Sequence, residues 1–448
     1  MTLERYPRPN HDTGYGFFYC ADTDHYSPQD AQRWVPELKS LGASWLVLLS
    51  RPDLPIPEFF IERLKEREIE PVVRIVTPSI QPVDADALTD LLAAYFHLGV
   101  HYVEVFAEAN CQSRWPLQDW CQPGLVERFV GMLAPILESM FAAGLTPVYP
   151  ALQLGGAYWD LSFLQRSLEI LAGRLEDSVL DSLAIGMHSH AFDRPLTWGQ
   201  GGRSEWPAAR PYCRPRESED HLGFNLFEWY NEVVESTLGK SLGLLCMGGV
   251  VESDPYSASA QGSIDHEKQA ERAVSVANML MEGVLPSYVI NHAFHLLVDG
   301  DGLSGHAWYS DDGEEAPAVS AIKALLKHSR AAIEQAAASP VVSSAEPSSG
   351  VQFIGLSREM RRALHVDPPK RAQEPYWKVV RVEVQPTTHN MSAYAITGGE
   401  AARFSWPDGE YIATAKDDPY APVGARKGAA SMPMFAGWGG YSVEVVGN

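Results

Sequence analysis

Apolar residues recur along most of the chain in two alternating patterns. Short apolar runs such as "GYGFFYC" (14–20), "SWLVLLS" (44–50) and "PVVRIV" (71–76) have the length of buried strands, and a stretch with helical spacing follows each of them. The first of these stretches offers Ser27 as N-cap, Pro28 at the first helical position, Asp30 as the acid of a capping box and Gly42 as the stop. This repetition of strand and helix is typical of a parallel sheet.

Five further runs continue the pattern and complete eight strand–helix units. They are "HYVEVFAEANCQSRW" (101–115), "TPVYPALQL" (146–154), "SLAIGMHSH" (182–190), "LGLLCM" (242–247) and "SYVINHAFHLL" (287–297). Eight units in about 320 residues predict an α/β fold, a (β/α)8 TIM barrel with enlarged loops. A doubly wound open sheet is the alternative, but no GxGxxG follows any strand and no GxxxxGK[ST] occurs, so the usual nucleotide-binding signatures are absent from the sequence.

The pattern changes after the eighth helix. We assign residues 1–333 to the barrel, and residues 334–350, "EQAAASPVVSSAEPSSG", to a linker because Ala, Ser and Pro dominate them. Residues 351–448 contain period-two runs such as "WKVVRVEVQP" and "GYSVEVVG", broken by Gly, Asp and Pro. They predict a small all-β module, an immunoglobulin-like sandwich.

The charge balance restricts the class of partner. The 448 residues carry 35 lysines and arginines against 57 acids, a formal net charge of -22. Such a chain repels phosphate backbones and anionic membrane surfaces, so we expect neither nucleic acid nor membrane as a partner. The N-terminus has no apolar signal core and no run reaches the length of a membrane span, which favours a cytoplasmic location.

The five cysteines are Cys20, Cys111, Cys121, Cys213 and Cys246. Their number is odd and they show no CxxC or Cys/His metal spacing, so we expect no metal and no other cofactor. A Cys111–Cys121 disulfide is conceivable, but free or buried thiols are the preferred interpretation.

In a barrel of this kind, functional groups project from the carboxyl ends of the strands. The polar residues at those ends include Asp22 and Asp24 on strand one, Arg51 and Asp53 on strand two, Arg74 on strand three, Glu108 and Asn110 on strand four, Gln153 on strand five, His188, His190 and Asp193 on strand six, Glu252 and Asp254 after strand seven, and Asn291, His292, His295 and Asp299 on strand eight.

This order of residues resembles the clan A glycoside hydrolases, specifically a bacterial cellulase-like group. In that clan the acid/base glutamate closes strand four in an Asn-Glu-Pro type motif and the nucleophile glutamate closes strand seven. Neighbouring stretches carry the resemblance further: "IGMHSHAFDRPLTW", "FNLFEWYNEVVESTLGKSLGLLCMGGVV" and, near the end of the C-terminal module, "SMPMFAGWGGYSVEVVG". The resemblance implies that Glu108 stands at the acid/base position.

Two departures from the family pattern concern the catalytic motifs. The strand-four motif reads Ala107-Glu108-Ala109-Asn110, so alanine replaces the amide that in the family bonds the sugar 2-hydroxyl. At strand seven, Met247 or Gly248 stands where the nucleophile would be. A retaining glycosidase needs two carboxyl groups about 5 to 5.5 Å apart and an inverting one about 6.5 to 9.5 Å, so this loss removes half of the chemistry. Glu252 or, less plausibly, Asp254 could substitute from the loop.

Several candidate residues have two interpretations. Arg74 either contacts substrate or, as we prefer, forms a buried ion pair with Glu104. His188 and His190 share one face of their strand and could bind metal, although hydrogen bonding in the pocket is preferred. Ten aromatic residues near the loop face either stack on sugar rings or cap the core: Tyr15, Tyr19, Trp115, Trp120, Tyr158, Trp159, Trp198, Trp206, Trp308 and Tyr309.

The sequence therefore leaves two main hypotheses. The preferred one is a barrel that has lost its nucleophile and binds an oligo- or polysaccharide, or acts in assembly with its β module, without hydrolysing glycosides. The alternative is an active glycosidase with Glu108 as acid/base and Glu252 as the second carboxylate. In both, substrate contacts are expected from Asn110, His188, His190, Arg74, Trp115, Trp308 and Asn291, and a homo-oligomer is possible. A structural protein with no affinity for sugar is a third interpretation.

Overall fold

The computed structural model describes residues 5–192, 194–211, 214–249, 265–299, 307–310 and 312–338, together with four strands between residues 379 and 444. The candidate residues Asp193, Glu252 and Asp254 lie outside these ranges. Within the described ranges, no helix combines the length and the apolar content needed to cross a bilayer.

Eight parallel strands form a closed barrel in the order in which they occur along the chain. The predicted (β/α)8 architecture is therefore confirmed. The strands are β1 (Tyr15–Phe18), β2 (Trp45–Ser50), β3 (Glu70–Ile75), β4 (Tyr102–Val105), β5 (Thr146–Tyr149), β6 (Ala184–Ser189), β7 (Gly243–Gly249) and β8 (Val289–Phe294).

Helices separate consecutive strands and form the outer layer. They are α1 (Pro28–Ser40), α2 (Glu58–Glu66), α3 (Ala85–His97), α4 (Leu117–Trp120), α5 (Leu125–Ala142), α6 (Asp160–Ala172), α7 (Asp177–Ser182), α8 (Gly202–Glu205), α9 (Leu226–Leu238), α10 (His266–Met281) and α11 (Pro317–Ala338). Between β8 and α11 a short sheet joins β9 (Val298–Asp299) to β10 (Tyr309–Ser310).

The first helix shows how local sequence signals set element boundaries. The Ser27 side chain accepts a hydrogen bond from the Asp30 backbone, and the Asp30 carboxylate accepts one from the Ser27 backbone in return. Pro28 occupies the first turn, where its missing N–H removes no helical bond. Gly42 follows the helix with φ +73°, a left-handed conformation that glycine adopts without steric cost.

The barrel separates two apolar clusters. The outer cluster lies between strands and helices, and the inner one fills the barrel with side chains such as Phe18, Val47, Leu245 and Met247. At the amino end of the strands Tyr6 closes the barrel, where its hydroxyl donates to the Leu183 carbonyl and accepts from the Gly243 amide. The amino end is thus sealed, and polar chemistry is left to the carboxyl end.

The C-terminal strands form one four-stranded sheet. They are β11 (Val379–Glu383), β12 (Glu400–Trp406), β13 (Gly409–Ala415) and β14 (Ser442–Glu444), in the order β13-β12-β11-β14. The β11–β12 pair is parallel and the other two pairs are antiparallel. The immunoglobulin-like sandwich stays a prediction. So does the linker at 334–350, of which residues 334–338 belong to α11 and the rest lie outside the described residues.

Candidate functional site

The carboxyl end of β4 has an unusual backbone. Regular pairing ends at Val105, and both Phe106 (φ +66°) and Glu108 (φ +62°) adopt left-handed conformations that residues with a Cβ rarely take. The Glu108 amide donates to the Ala151 carbonyl at 2.7 Å, which holds this kink against the end of β5. The Glu108 carboxylate is half-buried and has no hydrogen-bond partner among the described residues. Such strained positions are concentrated at functional sites, where the surrounding structure maintains them.

Asn110 fixes the loops after β4 and β5 to each other. Its amide nitrogen donates to the Gln153 carbonyl at 2.7 Å and to the Tyr158 carbonyl at 3.0 Å, and its amide oxygen accepts from the Gln153 amide at 2.9 Å. The side chain is fully buried, with all of these bonds directed to backbone. In this structure Asn110 positions the loop that carries Glu108, and its predicted role as a substrate contact stays a prediction.

Arg74 and Glu104 form a buried ion pair inside the barrel. The Arg74 Nε donates to Glu104 Oε2 at 2.6 Å, and the other Glu104 oxygen accepts from the Ala151 amide. Glu104 is 0% exposed and Arg74 is 7% exposed, so the preferred interpretation of this pair is the observed one. The Arg74 Nη2 atom is buried without a hydrogen-bond partner among the described residues. Buried polar atoms are nearly always paired. This nitrogen therefore has a hydrogen bond left to donate to a ligand atom or to water.

His188 and His190 stand at the end of β6 with their rings stacked, centroids 5.5 Å apart and 14° between planes. Both are half-buried, and the His188 Nε2 atom has no partner among the described residues. Burial, followed by the charge of Arg74 and the neighbouring His190 and His295, lowers the pKa of His188 well below its usual value of 6.5. His188 is therefore a neutral hydrogen-bonding group at neutral pH.

The carboxyl end of β7 carries no acidic residue. Met247 is 0% exposed and packs in the inner apolar cluster, and Gly248 and Gly249 complete the strand. A Cβ on Gly248 would lie 3.6 Å from the Nδ1 atoms of His188 and His295, an ordinary contact. A Cβ on Gly249 would lie 2.6 Å from the Ser189 carbonyl oxygen, which is a clash. A methyl group at position 248 would therefore fit beside the two histidines without a clash.

Three of the predicted substrate contacts are buried. Trp308 is 1% exposed and packs against Phe17 and Phe294 at centroid distances of 4.7 and 5.2 Å. Trp115 is 6% exposed and its indole donates to the Ala109 carbonyl at 2.8 Å. Asn291 is also buried. These side chains lie in the barrel wall and its loops, and their predicted sugar contacts stay predictions.

The remaining aromatic residues follow the same rule. Of the ten named from the sequence, Trp198 and Trp206 are half-buried and the other eight are buried. The indole N–H of Trp198 donates to Asp220 at 2.9 Å, and the Arg194 guanidinium lies 4.8 Å from its ring centroid. Capping of the core is therefore the main use of these aromatic side chains.

The structure adds two residues to the site that the pattern ranked low. Gln153 is half-buried at the end of β5 and its Oε1 accepts from the Cys111 thiol. His295, half-buried after β8, stacks on Phe18 with centroids 5.6 Å apart and faces Gly248. Both lie at strand ends in the sequence, and that position made them candidates. Only their three-dimensional contacts distinguish them from the other polar residues at strand ends. Cys111 and Cys121 form no disulfide with each other.

Among the residues that the structure describes, His188 and His190 do not belong to a group with metal-ligand spacing. Among the described residues, one cluster of His, Cys and acidic side chains has such spacing, and it consists of Cys20, Asp22 and His25 at the end of β1. The sequence analysis did not identify this cluster.

No family model and no curated protein matches this sequence. Among solved structures, a monomeric beta-xylosidase from Caulobacter crescentus CB15 is 14% identical, with 72% of this chain and 70% of that chain covered and a TM-score of 0.45. An endo-beta-1,3-glucanase from Pseudomonas viridiflava is 17% identical, with coverages of 70% and 97% and a TM-score of 0.44. Another from Amycolatopsis mediterranei, in complex with laminaritriose, is 16% identical, with coverages of 70% and 100% and a TM-score of 0.41. These matches fall in the class of enzymes that the sequence resemblance indicated, but the likeness is one of fold, and neither activity nor substrate follows from it.

Proposed function

We propose that the carboxyl end of the barrel binds an oligosaccharide and does not hydrolyse it, because a glycoside-hydrolase-like site has kept its strand-four glutamate and lost its strand-seven nucleophile. The site consists of Glu108, Gln153, His188, His190 and His295, at the carboxyl ends of β4, β5, β6 and β8, with Arg74 in the barrel interior beneath them. No cofactor takes part in this proposal.

The observation that carries the proposal is the end of β7. Glycoside hydrolysis by two carboxyl groups requires a second carboxylate about 5 to 9.5 Å from the first. The strand that would supply it ends in Met247, Gly248 and Gly249, with the methionine side chain directed into the apolar interior. A thioether can neither attack an anomeric carbon as a carboxylate does nor activate a water molecule.

Binding is supported by hydrogen-bonding groups that have no partner among the described residues. Arg74 Nη2 and His188 Nε2 are buried without a hydrogen-bond partner, and Glu108 is half-buried. Sugar hydroxyls both donate and accept, so one ligand can satisfy a guanidinium donor, a neutral imidazole and a carboxylate acceptor together. Since the aromatic residues are mostly buried, recognition by hydrogen bonds is favoured over stacking.

The second candidate is an active glycosidase that uses Glu108 as acid/base and Glu252 as the second carboxylate. The constrained backbone at Glu108 favours it, because such strain is costly and is characteristic of catalytic positions. Glu252 lies outside the described residues, so its part in this candidate stays a proposal.

The experiment measures binding and turnover together. Soluble β-glucans and aryl glycosides are tested against the wild type, Glu108→Gln, and the control Glu138→Gln on the outer face of α5, where Glu138 is exposed. The proposal predicts saturable glycan binding that weakens about tenfold or more in Glu108→Gln and is unchanged in Glu138→Gln, with no turnover. Absence of binding to every glycan would leave a structural role and would contradict the proposal. Turnover abolished by both Glu108→Gln and Glu252→Gln would establish the second candidate.

A further inference from the structure

The loop between β1 and α1 brings three potential metal ligands together. The Cys20 Sγ lies 3.2 Å from Asp22 Oδ2 and 3.5 Å from His25 Nδ1, and His25 Nδ1 lies 2.8 Å from Asp22 Oδ1. One donor atom from each residue can be chosen so that all three lie within 4.8 Å of one another. Sulfur, nitrogen and oxygen donors therefore converge on one point at the carboxyl end of the barrel.

These separations are close to those around a tetrahedral ion. With Zn–S near 2.3 Å and Zn–N or Zn–O near 2.0 to 2.1 Å, donor atoms at tetrahedral angles lie about 3.3 to 3.6 Å apart. The sulfur–nitrogen distance of 3.5 Å already fits. The imidazole–carboxylate pair at 2.8 Å, held by a hydrogen bond, would open by about half an ångström as the metal replaces the shared proton.

The loop that carries these ligands is held in place by independent contacts. The Tyr19 hydroxyl donates to the His25 carbonyl at 2.8 Å, and the Asp24 amide donates to Asp22 Oδ1 at 2.9 Å. Cys20 forms an isolated parallel bridge to Val298 in β9. Such supporting contacts orient metal ligands before the ion arrives and reduce the entropy lost on binding.

We propose that Cys20, Asp22 and His25 form a binding site for a borderline divalent cation, best suited to Zn²⁺, with a fourth coordination position open to water or ligand. A thiolate and an imidazole favour Zn²⁺ over Mg²⁺ or Ca²⁺, which prefer oxygen donors only. Cys20 is buried, whereas Asp22 and His25 are half-buried, so solvent has access to the cluster from their side. Three protein ligands and an open position resemble reactive zinc sites more than closed structural ones.

Metal binding here competes with a proton. Burial and the hydrogen bond to Asp22 raise the pKa of Cys20 to about 12, so the thiol is protonated in the metal-free protein. Burial alone would raise the pKa of Asp22, but hydrogen bonds from His25, the Asp24 amide and Cys20 together lower it, so this ligand is ionised at neutral pH.

The test uses the full chain after removal of metal with a chelator. Zn²⁺ affinity and stoichiometry are measured by competition with a chromophoric chelator, and Co²⁺ serves as the spectroscopic probe. The variants are Cys20→Ser, Asp22→Asn and His25→Gln, and the matched controls are Cys121→Ser and His97→Gln, which lie outside the cluster. Thermal unfolding of each metal-free variant shows that it folds, and Asp22→Asn and His25→Gln keep the test decisive if Cys20→Ser does not fold.

The proposal predicts one high-affinity Zn²⁺ per chain, an affinity at least tenfold weaker in each cluster variant, and unchanged binding in both controls. Co²⁺ should show a thiolate-to-metal charge-transfer band that Cys20→Ser abolishes. An unchanged Zn²⁺ affinity in Cys20→Ser and His25→Gln would overturn the proposal. Binding of glycans has no part in these measurements, so the result is independent of the function proposed above.

Discussion

The carboxyl ends of β4 and β7 lie at the same end of one barrel but differ in side-chain polarity and in backbone conformation. The β4 end carries a half-buried glutamate on a left-handed backbone, fixed by Asn110 and by the bond from Glu108 to Ala151. The β7 end carries a buried methionine followed by two glycines. The β4 end combines a left-handed backbone with a half-buried carboxylate, whereas the β7 end consists of apolar packing and two glycines.

The comparison shows that a closed barrel forms with a carboxylate at the β4 end and an apolar side chain at the β7 end. Inner packing accepts Met247 among apolar neighbours, and the Arg74–Glu104 pair supplies charge beneath the rim without any contribution from β7. Because fold and site are separate requirements, the barrel closes whether or not a strand end carries a carboxylate.

The largest expected effect concerns the charged pair beneath the β4 end. Glu104→Gln leaves the Arg74 guanidinium buried without its counter-ion, so we expect a loss of about 3 to 5 kcal/mol in the free energy of unfolding. Urea denaturation measures it, with Glu138→Gln on the exposed face of α5 as the control. A loss no greater than that of the control would show that the Arg74–Glu104 pair does not contribute to the free energy of unfolding.

The next effect concerns the apolar β7 end. Met247→Ala removes a fully buried side chain from the inner cluster, and we expect a loss of about 3 kcal/mol from lost contacts and the cavity left behind. The same denaturation series measures it. A change near zero would mean that the Met247 side chain contributes little to the packing at the β7 end.

A smaller effect separates the two glycines of β7. Gly249→Ala forces a Cβ to 2.6 Å from the Ser189 carbonyl oxygen and should cost about 1 to 3 kcal/mol. Gly248→Ala meets only contacts of 3.6 Å or more and should change stability by less than about 1 kcal/mol. Thermal unfolding measures the loss of stability in each variant. Equal losses would show that a methyl group is tolerated no better at position 248 than at position 249.

The smallest effect is the pH dependence contributed by His188. Its pKa is depressed in the folded state, so the unfolded chain binds the extra proton first as the pH falls. Stability is therefore full above about pH 6.5 and declines by up to about 1.4 kcal/mol per pH unit below it. The slope between pH 6.5 and 5 should be smaller in His188→Gln than in the wild type, and His97→Gln is the control. Identical slopes would show that His188 is not held neutral.

The parts of the structure that depend on local signals were predictable. The capping box of α1 and the apolar runs of all eight strands follow from side-chain type and spacing, and both are present. The buried Arg74–Glu104 pair also followed, because neighbouring strands of a parallel barrel bring their inward charges together.

The site was only partly predictable because burial and backbone conformation are set by the tertiary contacts. The sequence around Glu108 does not indicate that Phe106 and Glu108 adopt left-handed conformations, because neither is a glycine. The hydrogen bond from Glu108 to Ala151, a tertiary contact, holds that conformation. Trp308 and Asn110 have suitable chemistry for sugar recognition, but packing and loop bonds use them internally. The Cys20, Asp22 and His25 cluster depends on how one short loop closes, and no motif in the sequence marks it.

The central claim is that the β4 end alone cannot hydrolyse a glycoside. The most direct test incubates the wild type at high concentration with a glycan that it binds and follows new reducing ends, with Glu108→Gln and Glu252→Gln in parallel. The account predicts binding and no increase in reducing ends above the rate given by Glu108→Gln. Release of reducing ends that both substitutions abolish would contradict it and would mean that Glu252 supplies the carboxylate missing from β7.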